Sequence, residues 1–333
     1  MLLPSHETMQ DALNRADNIL LITHVDPDGD AIGSITAVGL ALTQLGKRVT
    51  LACDNRTPSR FHYLALSNSI QQSLNGADHF DTLIAVDCGD EQRMGEVFAD
   101  LTQKRPFIIN IDHHITNTQF GDINLVNPVA ASTTEMLYPL FKEIGVDITA
   151  DIALCLLTGL VTDTLGFRTV GVTPQTMKTA SALMDAGADL SLVTMQALNI
   201  KPMSTLKLWQ VGLNNMHVDD GVVWTSISNE ERESTGYTSP STGGLVNLMA
   251  DVDIAAMSAV LLEMDDGAIR VGFRCRPPHS VSELATELGG GGHPLAAGCT
   301  LRMPLDEAVA LVISRSREAI RQQRLTAANG HNR

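Results

Sequence analysis

The sequence is short of positive charge, of paired cysteines and of long apolar runs. It has 23 lysines and arginines against 38 aspartates and glutamates, for a formal net charge of −15. This balance argues against a long duplex nucleic acid as partner, because such a footprint needs a basic stripe to displace counterions. The 5 cysteines are widely scattered and form no CxxC pair. They therefore indicate a reducing compartment rather than a disulfide framework.

Membrane insertion and export are also not indicated. The most apolar stretch, residues 152–161, is far too short to span a bilayer. A basic region followed by an apolar one is missing near the N-terminus, so we expect no signal peptide. These absences predict a cytoplasmic protein. Its 333 residues, 44% of them hydrophobic, are enough for two domains.

Short apolar runs alternate with helical patterns in the first half of the chain. The runs at 18–23, 82–87 and 107–112 are typical of buried strands. Over residues 32–45, apolar side chains recur at steps of three and four, and Gly46 is placed to end that helix. Such alternation predicts an α/β domain with a mostly parallel sheet flanked by helices on both faces.

The second half of the chain has a different pattern. We predict strands with one exposed face at 221–228, 255–264 and 268–275, and the turn between the last two at Asp266-Gly267. Ser280 and Glu283 have the spacing of a helix capping box. These elements predict a smaller α+β domain. The predicted boundaries are a first domain at 1–188, a linker with a flanking helix at 189–215, a second domain at 216–325 and a frayed tail at 326–333.

One histidine and three aspartates follow the first predicted strand, in the loop THVDPDGDAIGS at 23–34. In an extended loop Asp28 and Asp30 point the same way, because side-chain direction repeats every two residues. Taken alone, this loop is equally well explained as a turn in which Asp30 caps the next helix.

The other strand ends carry the same residue types. Asp87 ends the second run, and Asp112, His113 and His114 end the third. The carboxyl ends of parallel strands meet at one edge of a sheet, where ligands bind. Asp163 ends an apolar helical segment, where the helix dipole disfavours a carboxylate. Turn chemistry explains any one of these positions but not all of them together.

Carboxylates gathered in this way would have to protonate or move apart unless cations balance their charge. Four aspartates about 5 Å apart form six repulsive pairs, each worth roughly 3 kcal/mol at an effective dielectric constant near 20. Mixed Asp and His ligands without thiolate suit Mn²⁺ best, with Mg²⁺, Co²⁺ or Zn²⁺ as alternatives. Two such ions about 3.5–4 Å apart can share a water and activate it for attack on a phosphoryl group.

The motifs HxxxDxD, VDxxD, DHH and TDT followed by a phenylalanine resemble the DHH phosphoesterase superfamily. The run GGGGHPLAAG at 289–298 is similar to the signature of its DHH-associated second domain. Length and spacing are nearest to the NrnA-type members, which degrade very short RNA and remove the 3′-phosphate of adenosine 3′,5′-bisphosphate. The resemblance implies phosphoester hydrolysis by a water bridging two divalent ions, in the cleft between the domains.

The resemblance also implies roles for individual residues. His114 would orient the scissile phosphate or protonate the leaving oxygen, while Asp112 supports the histidines and Asp26 is only a loop residue. One ion would be held by His24, Asp28, Asp87 and Asp163. The second ion would be held by Asp30, Asp87, His113 and Asp163.

In the second domain the resemblance implies that Gly291, Gly292 and His293 hold the non-scissile end of the nucleotide. Arg274 and Arg276 are two residues apart on a predicted strand, so they share a face and could grip a terminal phosphate. The alternatives are a flexible glycine loop and a solvated strand face.

Several rival functions follow from the same residues. A cysteine nucleophile at Cys88 is disfavoured, because Arg93 is one residue too early for a Cys-x5-Arg loop and nearby aspartates raise a thiol pKa. A family II pyrophosphatase would lack the glycine–histidine signature. A phosphodiesterase for cyclic or linear dinucleotides (c-di-AMP, pApA, pGpG) and a catalytically inactive nucleotide sensor remain alternatives. The sequence leaves open the physiological nucleotide, the metal, closure of the domains and a homodimer.

Overall fold

The computed structural model describes residues 6–74, 79–101 and 105–330. It divides the chain into two compact units, Met1–Ile200 and Lys201–Arg333. The division falls within 189–215, and that segment is mostly helical rather than an extended linker. The tail expected to fray from residue 326 continues the last helix as far as Gly330. Residues 331–333 lie outside the described residues.

The first unit has a five-stranded sheet in the order β2-β1-β3-β4-β5, and all its strand pairs are parallel. This confirms the predicted fold class. Two strands that we did not predict, β2 and β5, are short and form the edges. The strands are β1 Asn18–Ile22, β2 Arg48–Ala52, β3 Thr82–Val86, β4 Phe107–Asp112 and β5 Ile123–Val126. The helices are α1 His6–Arg15, α2 Gly29–Gln44, α3 Glu96–Ala99, α4 Thr133–Glu143, α5 Ala150–Asp163, α6 Pro174–Asp185 and α7 Leu190–Val193, followed by a π-helical turn at Thr194–Asn199.

Alternate side chains of the central strands enter two different cores. Leu21 and Ile84 pack with α2 and α5 on one face. Leu20 and Leu83 pack on the other face, with Met94 from the segment after β3. Both faces are buried, which explains why these strands appear in the sequence as continuous apolar runs.

Helices α2 and α5 approach each other through glycine. A Cβ added to Gly33 would lie 2.6 Å from the carbonyl oxygen of Cys155, and one added to Gly159 would lie 2.5 Å from Oδ1 of Asp30. Both distances are shorter than any real Cβ contact. This close packing brings the carboxyl end of α5 beside the first turn of α2.

The second unit has a mixed six-stranded sheet in the order β10-β11-β9-β8-β7-β6. The pair β7–β8 is parallel and the other pairs are antiparallel. The strands are β6 His217–Asp219, β7 Val222–Ile227, β8 Met257–Glu263, β9 Ile269–Cys275, β10 Gly291–His293 and β11 Ala296–Leu301. The helices are α8 Met203–Asn214, α9 Asn229–Thr235, α10 Leu245–Ala250, α11 Ser282–Glu287 and α12 Leu305–Gly330.

Two predictions for this unit were wrong. Strand β8 does not have an exposed face, because Leu261 packs in one core and Leu262 in the core on the opposite face. The Ser280 capping box is absent, since α11 begins at Ser282 and its N-cap, Val281, makes no side-chain bond. The turn containing Asp266-Gly267 does connect β8 and β9, and Gly267 adopts the left-handed conformation with φ +73°.

Within the described residues, we find no helix with the length and apolar character that crossing a membrane requires. The five cysteines all lie in the described part, where each is buried and none forms a disulfide.

We predict that Gly33→Ala lowers the free energy of unfolding of the first unit by about 1–3 kcal/mol, because the new methyl group overpacks the contact of α2 with α5. Far-UV circular dichroism during urea unfolding measures this loss. Gly171→Ala is the matched control: a Cβ there meets nothing within 4 Å, and the expected change is under about 0.5 kcal/mol. Equal stability of the two variants would contradict the close packing.

Candidate metal centre

The candidate site lies at the carboxyl edge of the parallel sheet. His24 follows β1, Asp87 follows β3, and His113 follows β4. These three strands are neighbours in the sheet, so the residues that follow them meet at one edge. Helix α2 brings Asp28 and Asp30 to the same edge, and Asp163 comes from the last turn of α5.

One group of side chains surrounds His24. Its Nε2 lies 3.9 Å from Oδ1 of Asp28 and 3.6 Å from Oδ2 of Asp87. The three ligand atoms lie within 4.8 Å of one another. His24 and Asp87 are buried, whereas 52% of the Asp28 side chain is exposed.

A second group surrounds His113. Its Nε2 lies 3.2 Å from Oδ2 of Asp163, 3.9 Å from Oδ2 of Asp30 and 3.7 Å from Oδ1 of Asp87. Asp87 therefore stands between the two groups and presents a different oxygen to each histidine. The structure places Asp163 in this second group; its role as a ligand beside His24 stays a prediction.

Local backbone bonds fix the carboxylates. The N-cap of α2 is Asp28 and not Asp30, because Asp28 Oδ1 accepts from the backbone N–H groups of Asp30 and Ala31 at 3.0 and 3.1 Å. The carboxylate of Asp30 instead accepts from the N-terminus of α4. It receives the backbone N–H groups of Thr133 and Thr134 at 2.6 and 3.1 Å.

His114 has a different environment from His113. Its Nδ1 lies 2.7 Å from Oδ1 of the buried Asp112. The other oxygen of Asp112 accepts from Nδ2 of Asn117 at 2.6 Å, and the same nitrogen lies 2.8 Å from Oδ1 of Asn110. This network holds the His114 ring in one orientation, as the sequence analysis expected of Asp112.

The electrostatics of the site reflect an excess of buried negative charge. Burial raises the pKa of Asp30 well above its usual range, and the nearby carboxylates of Asp87 and Asp28 raise it further. Asp163 behaves in the same way, with its pKa raised by burial and then by Asp30 and Asp28. Both carboxylates therefore resist ionisation unless a cation balances them.

Protonated histidines offset part of this buried negative charge. Burial alone would lower the pKa of His24, but the adjacent Asp87 and the charge of Asp28 outweigh it and raise the pKa to about 9. Burial would raise the pKa of Asp87, yet His24, His113 and His114 together lower it well below its usual range. The electrostatics of the cluster thus favour positive charge beside Asp87.

Backbone strain is also found here. Asp26, Asp87, Leu165 and Phe167 have φ between +51° and +64°, a region that side chains other than glycine rarely adopt. Such conformations persist where the surrounding structure imposes them, and they cluster at functional sites. Asp26 is exposed and belongs to neither group of ligand atoms, in keeping with its interpretation as a loop residue.

The predicted substrate residues of the second unit have unexpected neighbours. Gly291, Gly292 and His293 form the exposed edge strand β10, paired with β11, and not a flexible loop. Arg274 is half-buried near the end of β9, and its Nη1 donates to the backbone oxygen of Phe273. Arg276 lies just beyond β9 and donates through Nη2 to three backbone oxygens, those of Val252, Asp253 and Ala255. Its guanidinium therefore has a structural role that the sequence did not indicate.

Sequence reasoning missed several side chains of the site. Thr133, Thr134 and Asn117 contact the carboxylates, but single hydroxyl and amide residues in loops carry no recognisable spacing. Arg93 was considered only as part of a cysteine loop. Its positive charge lowers the pKa values of His24 and His114, in opposition to the aspartates that raise them. Cys88 is buried, and burial raises its thiol pKa, which disfavours a thiolate nucleophile.

Comparison with known families agrees with this architecture. Residues 18–160 match the model of the DHH family, N-terminal domain, and residues 222–322 match the DHHA1 domain. The crystal structure of an exopolyphosphatase-related protein from Bacteroides fragilis superposes with a TM-score of 0.86 and 26% identity, covering 96% of both chains.

Two curated relatives have similar lengths. The bifunctional oligoribonuclease and PAP phosphatase NrnA of Thermus thermophilus is 34% identical over 91% of this chain and 90% of its own length. The protein of the same name from Bacillus subtilis is 28% identical over 86% of this chain and 90% of its own. With both domain models matched in order and this identity across nearly the full length, the chain belongs to the NrnA group of the DHH–DHHA1 family.

Proposed function

We propose that this chain is a metal-dependent phosphoesterase that hydrolyses RNA oligonucleotides of a few residues and adenosine 3′,5′-bisphosphate. The observation that carries the proposal is a set of three overlapping His/Asp groups, in each of which the ligand atoms lie within 4.8 Å of one another. The groups are His24, Asp28 and Asp87; Asp87, His113 and His114; and Asp30, His113 and Asp163. The relatives named oligoribonuclease and PAP phosphatase support the substrate class.

The residues of the two groups fit a pair of divalent cations. Burial and neighbouring carboxylates raise the pKa values of Asp30 and Asp163. A bound cation would offset this unfavourable negative charge. Nitrogen and oxygen ligands without sulfur favour Mn²⁺, with Mg²⁺ or Co²⁺ as alternatives. When bound, the two ions supply a water of lowered pKa and neutralise charge on the phosphoryl group.

In this mechanism His24, Asp28 and Asp87 would hold one ion, with Asp163 as a further predicted ligand, while Asp30, Asp87, His113 and Asp163 would hold the other. A water would form the new P–O bond as the P–O bond to the leaving oxygen breaks; the attacking water loses a proton to solvent, and the leaving oxygen gains one. His114 orients the scissile phosphate or protonates the leaving oxygen through Nε2, since its Nδ1 is bonded to Asp112. The orientation imposed by Asp112 is typical of carboxylate–histidine pairs.

The second unit would bind the remainder of the nucleotide. Gly291 and Gly292 expose backbone along the edge strand β10, where a peptide N–H group can approach an anion closely. His293 and Arg274 would add side-chain donors, and a contribution from Arg276 stays a prediction. The cytoplasmic location and a homodimer also stay predictions from the sequence.

We expect the purified chain with Mn²⁺ to cleave dinucleotides and trinucleotides faster than a 20-mer RNA, and to release phosphate from adenosine 3′,5′-bisphosphate. The physical reason is the acidic surface, which offers a long RNA few phosphate contacts. Products are resolved by length, and cyclic di-AMP and pGpG are included. Preference for the 20-mer would refute the proposal. Cleavage of c-di-AMP or pGpG without cleavage of trinucleotides or release of phosphate from adenosine 3′,5′-bisphosphate would favour the dinucleotide phosphodiesterase.

Bis-p-nitrophenyl phosphate tests the chemistry without any nucleotide selectivity. Turnover that depends on added Mn²⁺ is expected. Bound Mn²⁺ without turnover of this ester or of any nucleotide would instead favour the inactive sensor.

Asp87→Ala and His114→Ala separate ion binding from proton transfer. We expect Asp87→Ala to abolish turnover and to weaken the binding of both ions, because Asp87 faces both groups. His114→Ala should retain ion binding and lower kcat by about 10²–10⁴. Isothermal titration with Mn²⁺ and steady-state kinetics measure the two effects. An active Asp87→Ala variant would show that the centre has been misplaced.

Asp163→Asn should raise the melting temperature when metal is absent and lower it when metal is bound. In EDTA we expect a higher melting temperature than for the parent chain, because a buried carboxylate beside Asp30 is neutralised. In saturating Mn²⁺ the order should reverse, because a ligand is lost and metal binding stabilises the folded state. A variant less stable than the parent chain in both conditions would contradict the repulsion at this site.

A further inference from the structure

Thr133, the first residue of α4, contacts both of the proposed metal groups. Its side chain and backbone are buried. The backbone N–H donates to Oδ2 of Asp30 at 2.6 Å, and the hydroxyl Oγ1 donates to Oδ1 of Asp87 at 2.9 Å. The segment that carries it is 46 residues beyond Asp87 and 103 beyond Asp30, so this double contact is purely tertiary.

The bonds to Asp30 restrict how that carboxylate can bind an ion. A carboxylate oxygen has two lone pairs. Oδ1 of Asp30 accepts both the N–H and the hydroxyl of Thr134, at 3.1 and 2.8 Å. Oδ2 accepts only the N–H of Thr133, and Oδ2 is the atom 3.9 Å from His113 Nε2. Oδ2 therefore has a lone pair left for an ion, whereas both lone pairs of Oδ1 are used by hydrogen bonds.

The orientation of Asp87 decides which oxygen faces which group. Oδ1 lies 3.7 Å from Nε2 of His113, and Oδ2 lies 3.6 Å from Nε2 of His24. Rotation about the Cβ–Cγ bond would exchange or misdirect these oxygens. Terminal torsions of this sp³–sp² type have broad energy wells, so an external bond is needed to fix the rotation. The Thr133 hydroxyl provides such a bond on the side of Oδ1.

We propose that Thr133 is a positioning residue that sets the affinity of both ions by fixing the rotation of the Asp87 carboxylate, which would be a ligand of each. The inference rests on the proposed function, since it requires a pair of ions at these two groups. Loss of the hydroxyl leaves the backbone bonds to Asp30 in place, so only Asp87 loses a partner. Because a carboxylate rotates as one rigid group, Oδ2 on the His24 side moves together with Oδ1 on the His113 side, and the loss should reach both ions.

The test is isothermal titration of Thr133→Val with Mn²⁺ alone, without nucleotide. Valine keeps the shape of threonine and removes the hydroxyl. We expect two ions to bind the parent chain. In the variant, both ions should bind about tenfold more weakly, a typical effect of losing a partner of a metal ligand. The Mn²⁺ concentration that gives half-maximal activity should rise by a similar factor.

Thr133→Ser keeps the hydroxyl and should retain both affinities. Thr36→Val is the matched control, because Thr36 is also a buried helical threonine whose hydroxyl bonds to backbone oxygens of its own helix, those of Ile32 and Gly33, and to the thiol of Cys155 rather than to a carboxylate of the site. It should bind both ions normally. If Thr133→Val does not fold, Thr133→Ala compared with Thr133→Ser carries the same test.

The possible outcomes separate this inference from the proposed function. Unchanged affinities in Thr133→Val, or a loss confined to one ion, would overturn the role of Thr133. A parent chain that binds two Mn²⁺ ions but cleaves no nucleotide would overturn the proposed function while leaving the positioning role intact. A parent chain that binds fewer than two ions would overturn both.

Discussion

The constraint on which the first unit depends is the burial of several carboxylates at one edge of a parallel sheet. Asp30 and Asp87 are almost fully buried, and Asp163 is only partly exposed. Mutual repulsion and desolvation oppose their ionisation, and both effects are large where water is excluded. Two kinds of partner offset these effects in the structure: histidines from neighbouring strand ends and backbone N–H groups at helix starts.

Packing between helices brings these partners together. The glycines of α2 and α5 allow the two helices to approach until Asp30 lies against Gly159. The start of α4 then covers Asp30 with two N–H groups. A side chain larger than hydrogen at either glycine would separate the helices and with them the carboxylates. The arrangement of the proposed ligands is therefore inseparable from the core of the first unit.

The second unit uses glycine differently. Its run of four glycines does not form an open loop. It leads into an edge strand, where a Cβ on Gly290 would lie 2.1 Å from the carbonyl oxygen of Gly298, whereas one on Gly291 would meet nothing within 4 Å. Packing within the unit thus explains why position 290 has no room for a side chain, but it gives no reason for glycine at position 291. An exposed strand backbone with no side chain at position 291 is consistent with its proposed contact with a nucleotide.

The sequence by itself determined the fold class and the residue types of the candidate centre, because both are local signals. Apolar runs mark buried strands, and His or Asp directly after such a run must lie at the carboxyl edge of a parallel sheet. Periodicity failed for β8, which is buried on both faces, and for the short edge strands β2 and β5. Only the tertiary structure decided which oxygen of Asp87 faces which histidine, that α4 holds Asp30 and Asp87, and that Arg276 is bonded to a neighbouring loop. These contacts join segments far apart in the chain, and their geometry depends on how helices and strands pack, which residue spacing does not encode.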